Sequence, residues 1–597
     1  MPGMYRAPLK EIRFALHELT RDDRLQGLAG FADYSAEYAD AVLEQAAQFA
    51  EEVLAPINDL GDREGAKWSA DGVAMPPAFK DAYRQFVDAG WTRLRASLDR
   101  GGLAAPAALS LAVDEFWSSS NLAFKLCPML TRGAVEAIER CGSDALKARF
   151  LPKMIAGEWT GTMNLTEPQA GSDLGAIRTR AVRDGEDYKL FGQKIFITYG
   201  DHDYTPNIIH LVLARIDGSP PGTRGISMFI VPKVLVAEDG SLVERNDVRC
   251  VSIERKLGIH ASPTCVLAYG DGGGATGHLV GEPNRGLEYM FIMMNAARLS
   301  VGLEGYAMGE RAYQRALDWA RSRVQGRPAG KPLTADGKPA PIVEHADVKR
   351  MLMTMKAQTD ASRAIALYGA LQLDLAEHAA DPGTRAEAQA RGDLLIPIIK
   401  AWATERGIAT ASLGIQIHGG MGYIEDAGAA QHWRDVRITA IYEGTTGIQA
   451  SDLLGRKISR DDGAGMFAFI DLMNAELEAL KAADAAALDG RNAAIAALAS
   501  LRQATVALLQ CAERGPAHAQ AVAVPYLNLC GIVIGAWTMA KAHDIAVRKQ
   551  PEDPEFFGGK RQIARFYMQQ ILPEAEGLSR IVADGSASVS EADSRLL

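Results

Sequence analysis

The sequence predicts an α+β multidomain protein, in which a helical region, a β region and a second helical region are followed by extra helices. Apolar residues recur at helical spacing near the N-terminus, for example at Val42, Ala46, Phe49 and Val53, which is typical of an amphipathic helix. The middle of the chain instead carries short runs rich in β-branched and aromatic residues, separated by turn clusters, as strands are. Since these runs do not alternate with helices, a doubly wound parallel sheet is not expected.

Helices are predicted over residues 42–53, where Pro56 ends the run, and over 121–155, 288–323, 346–380, 385–413 and 444–454. Strands are predicted at 188–198, 208–215, 226–232 and 265–269, a Pro/Gly-rich loop at 326–341 and a linker at 459–465. Beyond the linker, apolar residues at spacings of four and three predict a helix packed in a bundle. They are Ala494, Leu498, Leu501, Thr505 and Leu508.

The amino-acid composition argues against two classes of protein, nucleic-acid-binding proteins and proteins with a cysteine-ligated metal centre. Of 597 residues, 48% are hydrophobic and 23% are charged, as in a soluble globular protein of roughly four domains. The net charge of −10 argues against a nucleic-acid partner, because such partners usually bind surfaces rich in Lys and Arg. The six cysteines form no CxxC pair, so no metal centre is expected and the thiols are interpreted as reduced, in a cytosolic protein.

Two segments bear on location. Residues 5–11 lack the apolar core of a signal peptide, which agrees with a cytoplasmic protein. Residues 521–540 carry no charge over about the length that spans a bilayer, but Pro525, Gly531 and Gly535 interrupt them. A fully buried helix is therefore expected there, without stable membrane insertion.

The first chemical motif is the stretch TEPQAGSD at residues 166–173. Pro168 and Gly171 shape a loop, while Thr166 and Ser172 supply hydroxyl groups. Such a loop suits a polar ring edge or a pyrophosphate, although a plain polar turn is the alternative.

The second motif, KIFITYG at residues 194–200, lies on a predicted strand. Phe196 and the hydroxyl of Thr198 are two residues apart, which places them on one face of a regular strand. They could cover a flat ring and bond its rim, or Phe196 could be an ordinary core residue.

The third motif is QIHGGMGY at residues 416–423. Its glycines permit close approach of a phosphate-bearing ligand to the backbone, or merely end a helix. His418 is interpreted as a structural histidine, since no second histidine stands at metal-ligand spacing.

The fourth motif, IYEGTTGIQ at residues 441–449, places Glu443 among apolar and aromatic neighbours at the start of a predicted helix. A carboxylate removed from water becomes a stronger base, and Gly444 leaves room for a substrate beside it. Glu443 could equally cap the N-terminus of the helix.

No GxGxxG joins a predicted strand directly to a helix, and neither GxxxxGK[ST] nor GxSxG occurs, which disfavours a Rossmann site, a P-loop and a hydrolase elbow. The four motifs, in this order, resemble the acyl-CoA dehydrogenase family over about residues 36–455. The N-terminal extension and the helical block after residue 460 look like a long bacterial branch that includes 3-methylmercaptopropionyl-CoA dehydrogenases.

The resemblance implies a domain order. An N-terminal extension at residues 1–35 would precede an N-terminal α-helical domain at 36–160 and a middle β-barrel or sheet domain at 161–282. A C-terminal four-helix-bundle domain at 283–457 would carry FAD and catalysis, and 466–597 would form an additional helical domain.

The resemblance also implies positions for non-covalent FAD and for the CoA part of the substrate. Ser172, Asn295 and Arg298 would bind the CoA part of the substrate, and no metal is implied. In the family, Trp is usual where Phe196 stands here. The FAD-binding positions are Met163, Leu165, Thr166, Ser172, Phe196, Thr198, Arg323, Gln325, Gln416, Gly420 and Thr445.

By the same resemblance, Glu443 is the base that removes the α proton of an acyl-CoA thioester, while the β hydride passes to flavin N5 and a 2,3-enoyl-CoA results. The α proton of a thioester is weakly acidic, so its removal calls for a carboxylate in a dry site. The substrate could be 3-methylthiopropanoyl-CoA or a fatty acyl-CoA. An acyl-CoA oxidase on the same scaffold and a non-catalytic flavin-binding scaffold are the alternatives. A homodimer and an electron-transfer flavoprotein as electron acceptor are expected as well.

Overall fold

The computed structural model describes residues 4–329, 339–482 and 484–596. The predicted loop at 326–341 is therefore described only in part, since residues 330–338 lie outside the described residues. The chain forms two compact units. Unit 1 comprises residues 1–48, 106–119 and 301–597, and unit 2 comprises residues 49–105 and 120–300.

Unit 1 is mainly helical. In unit 2, helices come before and after the strands of the sheet along the chain. In chain order, the α-helices of the described residues are α1 Leu9–Arg13, α2 Ala36–Phe49, α3 Ala55–Glu64, α4 Pro77–Asp88, α5 Ala107–Cys141, α6 Asp144–Ile155, α7 Gly286–Ser322, α8 Ala346–His378, α9 Pro382–His418, α10 Ala429–Val436, α11 Thr446–Asp452, α12 Ala464–Glu478, α13 Ala485–Arg514, α14 Pro516–Lys549, α15 Pro554–Phe566, α16 Glu574–Asp584 and α17 Ser586–Ser590.

The expectation that Pro56 ends the first helix is wrong. The helical path continues from α2 through a π-helical turn at Ala50–Leu54 into α3, whose first turn contains Pro56. A proline is tolerated there because the first N–H groups of a helix have no intrahelical partner.

Twelve strands occur in the described residues, against four predicted from sequence. They are β1 Lys67–Ser69, β2 Gly72–Ala74, β3 Trp159–Asn164, β4 Arg180–Asp184, β5 Asp187–Thr198, β6 Asn207–Ile216, β7 Ser227–Pro232, β8 Val234–Val236, β9 Leu242–Arg245, β10 Val248–Ile253, β11 Thr264–Tyr269 and β12 Ala275–Leu279.

Eight of these strands form the sheet of unit 2. Strand β5 pairs with β12, β12 with β7, β7 with β6, β6 with β4, and β4 again with β5, so the pairing closes a five-stranded ring. Strands β11 and β10 extend from β5, and β3 extends from β6. Most pairs are antiparallel, and only β3 and β4 run parallel to β6. The predicted β domain is therefore a small barrel with flanking strands.

In unit 1, the helices α7 and α9 approach each other through glycines. A Cβ placed on Gly407 would lie 2.0 Å from the Gly305 carbonyl oxygen, and one placed on Gly305 would lie 2.5 Å from the Thr404 backbone. Only helices without side chains at the crossing can pack so closely. This crossing brings the polar residues that flank it on the two helices near one another.

Helix α14 is the apolar helix expected from residues 521–540. By length and composition α13 and α14 could each span a bilayer, but 83% of the most apolar window of α14 is buried inside the protein. Gly531 of α14 faces the ring of Trp402 on α9, where a Cβ would come within 2.3 Å of the indole. The additional helical block thus packs against the helices of its own unit, as a core helix does.

Candidate active site

The TEPQAGSD stretch follows β3 and forms a tight loop rather than an open turn. The backbone groups of Glu167 and Ala170 bond each other in both directions, at 3.0 and 2.9 Å. Thr166 is partly buried and Ser172 is exposed, so the hydroxyl of Ser172 is available to a ligand. In the same unit, Met163 is buried within β3, and Leu165 is partly buried just after that strand.

A buried ion pair, missed by the sequence reasoning, holds this loop. Lys194 Nζ on β5 donates to Glu167 Oε1 and to the Leu165 carbonyl oxygen, each at 2.9 Å. Glu167 also accepts from the hydroxyl of Thr179 at 2.6 Å and from the backbone N–H of Arg178 at 2.6 Å. These contacts fix the backbone between Leu165 and Glu167, where the resemblance places flavin contacts.

Both members of the pair are charged at neutral pH. Burial alone would raise the pKa of Glu167, but Lys194 and the hydrogen bonds outweigh it and lower that pKa to about 2. Burial outweighs the attraction of Glu167 in the case of Lys194 and lowers its pKa to about 8. The ammonium group therefore persists near pH 7 while being easier to deprotonate than an ordinary lysine.

Phe196 is not the core residue that the alternative interpretation proposed. Its side chain is 58% exposed and its φ is +58°, in the region that non-glycine residues rarely occupy. The pairing of β5 with β11 shifts register between Lys194 and Ile197, so a bulge interrupts regular alternation at Phe196. An exposed aromatic ring next to the partly buried Thr198 suits stacking against a flat ligand.

Asn295 and Arg298 lie one turn apart on α7, which places them on the same side of that helix. The side chain of Asn295 is exposed, whereas Arg298 is 5% exposed. A buried guanidinium group presented by a helix is suited to bind a phosphate.

The third motif ends α9. Gln416 is exposed in the last turn, and Gly419 follows the helix with a φ of +62°. A Cβ on Gly419 or on Gly420 would meet nothing within 4 Å, so the backbone there is open to a ligand. These glycines follow the end of the helix, as one sequence interpretation expected, and binding of a phosphate-bearing ligand to their open backbone stays a prediction.

His418 is a structural histidine, as the sequence indicated. Its Nδ1 bonds the Gly414 carbonyl oxygen at 2.7 Å, and its ring stacks on Trp319 with centroids 5.1 Å apart. Burial lowers its pKa, so the imidazole is neutral and serves packing.

Arg323 and Gln325 follow the end of α7 and are exposed. Their backbone is hydrogen-bonded to the residues just before the next helical turn. Ile342 N donates to the Arg323 carbonyl oxygen at 2.8 Å, and Gln325 N donates to the Ala340 carbonyl oxygen at 3.1 Å. These bonds use only backbone groups, so both exposed side chains are available to a ligand.

Glu443 lies in a bend before α11 and does not cap that helix. The cap is Thr445, whose hydroxyl accepts from the N–H of Ile448 at 3.3 Å. Glu443 is partly buried and has a φ of +56°. A carboxylate held in a rare backbone conformation at the end of a helix bundle is typical of a functional position.

Each unit, taken by itself, carries residues that fit part of a flavin dinucleotide. In unit 1, the accessible Gly419–Gly420 backbone suits a pyrophosphate. In unit 2, the exposed ring of Phe196 suits stacking on an isoalloxazine ring, and the hydroxyl of Ser172 can bond a phosphate oxygen. Unit 2 carries Met163, Leu165, Thr166, Ser172, Phe196, Thr198, Asn295 and Arg298, and unit 1 carries Arg323, Gln325, Gln416, Gly420, Glu443 and Thr445.

Family models match the chain in the expected order. They are "Acyl-CoA dehydrogenase, N-terminal domain" over 36–158, the middle domain over 162–271, the C-terminal domain over 284–458 and "Acetyl-CoA dehydrogenase C-terminal like" over 469–593. The chain belongs to the acyl-CoA dehydrogenase family, and is thus an FAD-dependent oxidoreductase that acts on acyl-CoA.

Particular relatives span the whole chain. It is 45% identical, over 98% of its length and 99% of the relative's, to 3-methylmercaptopropionyl-CoA dehydrogenase of Ruegeria pomeroyi. It is 34% identical, over 98% of both chains, to a butyryl-CoA dehydrogenase of Syntrophomonas wolfei.

Solved structures share the fold. Caenorhabditis elegans ACDH-11 in complex with C11-CoA matches 98% of this chain and 96% of its own, with a TM-score of 0.79 and 20% identity. Acyl-CoA dehydrogenase complexed with FAD from Bacillus anthracis matches 93% and 89%, with a TM-score of 0.74 and 20% identity. At such identities the likeness establishes the architecture, including the additional helices.

Proposed function

We propose that this chain oxidises 3-methylthiopropanoyl-CoA to the corresponding 2,3-enoyl-CoA, with short fatty acyl-CoAs such as butanoyl-CoA as the second candidate substrates. The observation that carries the proposal is the 45% identity, over nearly the full length of both chains, to an enzyme named for that thioester. The butyryl-CoA dehydrogenase relatives, at 34% and 32% identity, support a short acyl group.

Glu443 takes the α proton of the bound thioester in this proposal. Its partly buried carboxylate meets the need for a base shielded from bulk water. The backbone N–H of Glu443 donates to the thioester oxygen as negative charge develops there. FAD, when bound, supplies the acceptor for the β hydride at its N5 atom.

The remaining candidate residues bind and orient. Asn295 and Arg298 hold the CoA part, and the Ser172 hydroxyl serves both the CoA and the flavin pyrophosphate. The flavin edge and faces meet Met163, Leu165, Thr166, Phe196 and Thr198. Arg323, Gln325, Gln416, Gly420 and Thr445 hold the dinucleotide portion, with phosphate recognition by a guanidinium and open backbone.

A panel of thioesters tests the substrate. The purified flavoprotein is mixed under nitrogen with 3-methylthiopropanoyl-, butanoyl-, isobutanoyl-, octanoyl- and palmitoyl-CoA, and flavin absorbance and the product mass are recorded. We expect products two hydrogens lighter, with kcat/KM for 3-methylthiopropanoyl-CoA at least ~10-fold above that for octanoyl-CoA. A kcat/KM for octanoyl- or palmitoyl-CoA equal to or above that for 3-methylthiopropanoyl-CoA, or no bleaching with the latter, would overturn the proposed substrate.

We also propose a cytoplasmic homodimer that passes its electrons to an electron-transfer flavoprotein. Several large apolar side chains of unit 1 are exposed, which supports a protein–protein interface; they are Met421, Tyr423, Ile424, Ile441 and Ile448. Light scattering tests the homodimer and should give twice the 64.1 kDa chain mass. Peroxide release tests the electron acceptor. Turnover in air should release no stoichiometric peroxide, whereas an oxidase would release one peroxide per substrate.

A further inference from the structure

The turn that carries Glu443 has an unusual backbone. Glu443 has a φ of +56° and Gly444 a φ of +90°. Glycine adopts such angles freely, but a glutamate does so only where its surroundings hold it. The side chains that bond to the neighbouring peptides supply that restraint.

Side chains from three helices bond to residues 442–444. Lys400 Nζ, on α9, donates to the Gly444 carbonyl oxygen at 2.5 Å. Gln449 Nε2, on α11, donates to the Glu443 carbonyl oxygen at 3.0 Å. The hydroxyl of Tyr442 donates to Glu304 Oε2, on α7. Each peptide or side chain next to the carboxylate thus has a partner outside the turn.

Two of these partners are charged groups deep in the helical core. Lys400, Glu304 and Gln449 are each 0% exposed. Burying an ammonium and a carboxylate is costly unless they are well paired, and an apolar residue would pack at either position without that cost. Both lie beside the α7–α9 glycine crossing, with Gly305 next to Glu304 in sequence.

We propose that Lys400, Glu304 and Gln449 are positioning residues that hold the 442–444 turn so that Glu443 presents its carboxylate in one orientation. The inference rests on the proposed role of Glu443 as the base. A proton is transferred efficiently only within hydrogen-bond reach, and misplacement of a reacting group by about 1 Å can cost ~10²-fold in rate. Loosening the turn should slow proton removal without weakening acyl-CoA binding.

The key variant is Lys400→Met, which keeps an unbranched side chain that lacks only the terminal amino group in length and thereby removes the donor. The rate of flavin reduction at saturating acyl-CoA, measured anaerobically in the holoenzyme, should fall about 10- to 100-fold. The acyl-CoA dissociation constant should stay within about threefold, and the isotope effect of α-deuterated substrate should rise because proton removal becomes more rate-limiting. Lys400→Arg, which retains a cationic donor, should recover part of the rate.

Lys356→Met is the matched control. Lys356 is also a buried lysine, but it pairs with Glu11 at 2.9 Å and Asp360 at 2.7 Å. Its loss should lower the melting temperature and leave the reduction rate of the folded holoenzyme near that of the wild type. Gln449→Leu is the second variant in case Lys400→Met does not fold, since it removes the bond to the Glu443 carbonyl oxygen without uncovering a charge; a fall of about 3- to 10-fold in rate is expected.

The outcomes separate the two claims. If Lys400→Met and Gln449→Leu reduce flavin at the wild-type rate while Glu443→Gln does not, the positioning role is refuted and the base stands. If Glu443→Gln reduces flavin as fast as the wild type, the base itself is misassigned. A lowered melting temperature in Lys400→Met with an unchanged rate and isotope effect would reduce Lys400 to a structural residue.

Discussion

Lys194 is an ammonium group with 0% side-chain exposure on β5, and its contacts order a loop that the sequence marks by its hydroxyls. It reaches Glu167 and the Leu165 carbonyl oxygen, both at 2.9 Å. A charged pair in such a place is rarely a source of net stability, because desolvation offsets the attraction. The ion pair instead holds the loop in place, since the two charged groups fix the backbone that carries Leu165 and Thr166.

Replacing one charge of this pair should be worse than replacing both. Lys194→Met leaves the Glu167 carboxylate buried without its cation, and we expect a loss of about 3 to 5 kcal/mol in stability, with weaker flavin retention. The double variant Lys194→Met/Glu167→Leu should recover part of that stability. Thermal unfolding, followed by tryptophan and flavin fluorescence, measures both effects. Additive losses in the double variant would contradict a coupled pair.

At the scale of elements, the N-terminal segment is held by a histidine between two carboxylates. His17 Nδ1 lies 3.0 Å from Asp22 Oδ1, and its Nε2 lies 3.2 Å from Asp40 Oδ1 on α2. The hydroxyl of Tyr34 donates to Asp22 at 2.5 Å. Burial alone would lower the pKa of His17, but the two carboxylates outweigh burial and raise it above 6.5.

This arrangement predicts a pH dependence with a definite sign. Because the folded pKa of His17 exceeds the unfolded one, its stabilisation is fully present below pH 6.5 and is lost as pH rises through the folded pKa. The melting temperature of the wild type should therefore exceed that of His17→Gln most at pH 6 and progressively less toward pH 8. A difference that grows with pH would show that the histidine is bound as the neutral ring.

Sequence patterns predicted the long elements and the motif positions well, for physical reasons. The sequence predicts one long helix at 288–323, and α7 spans Gly286–Ser322. The sequence does not indicate strand β3, because its residues WTGTMN include a glycine and lack the run of β-branched apolar residues that marks the predicted strands. The turn at Pro56 was misread because a proline can begin a helix as well as end one.

For the candidate site, the sequence predicted the candidate FAD- and substrate-binding residues, but it did not predict the buried side chains that bond to their backbone. Lys400 stands 43 positions before Glu443 in the chain, and only the helix crossing brings it to the turn. A single charge inside the apolar run LLIPIIKAW at residues 394–402 was the available signal. Its partner could not be deduced, since periodicity carries no information on contacts between distant helices.

On the scale of the whole molecule, a buried ion network ties three distant stretches of unit 1 together. Arg363 on α8 contacts Glu115 at 2.6 Å on α5, Glu310 at 2.9 Å on α7, and Asp360 at 3.0 Å. Lys560 on α15 reaches Asp360 at 2.9 Å and also pairs with Glu11 near the N-terminus. The N-terminal extension and the additional helices are thus joined to the central helices of the same unit.

Arg363→Met should destabilise the whole unit rather than one helix. It leaves Glu115 and Glu310 buried without their shared cation, a loss that we expect to reach about 3 to 5 kcal/mol. Arg595→Met, which breaks the exposed Arg595–Asp593 pair, should change stability by at most about 1 kcal/mol. Thermal unfolding of both variants measures the difference. Equal melting temperatures would show that the buried ion pairs of Arg363 do not stabilise the unit.

The measurement that most directly tests the central claim is the rate of flavin bleaching in Glu443→Gln. The wild type and this variant, each carrying FAD, are mixed with saturating 3-methylthiopropanoyl-CoA under nitrogen in a stopped-flow instrument. We predict that the variant binds the thioester but bleaches about 10²- to 10⁴-fold more slowly, since amide nitrogen and oxygen cannot accept the α proton. Bleaching at the wild-type rate would show that another group removes the proton.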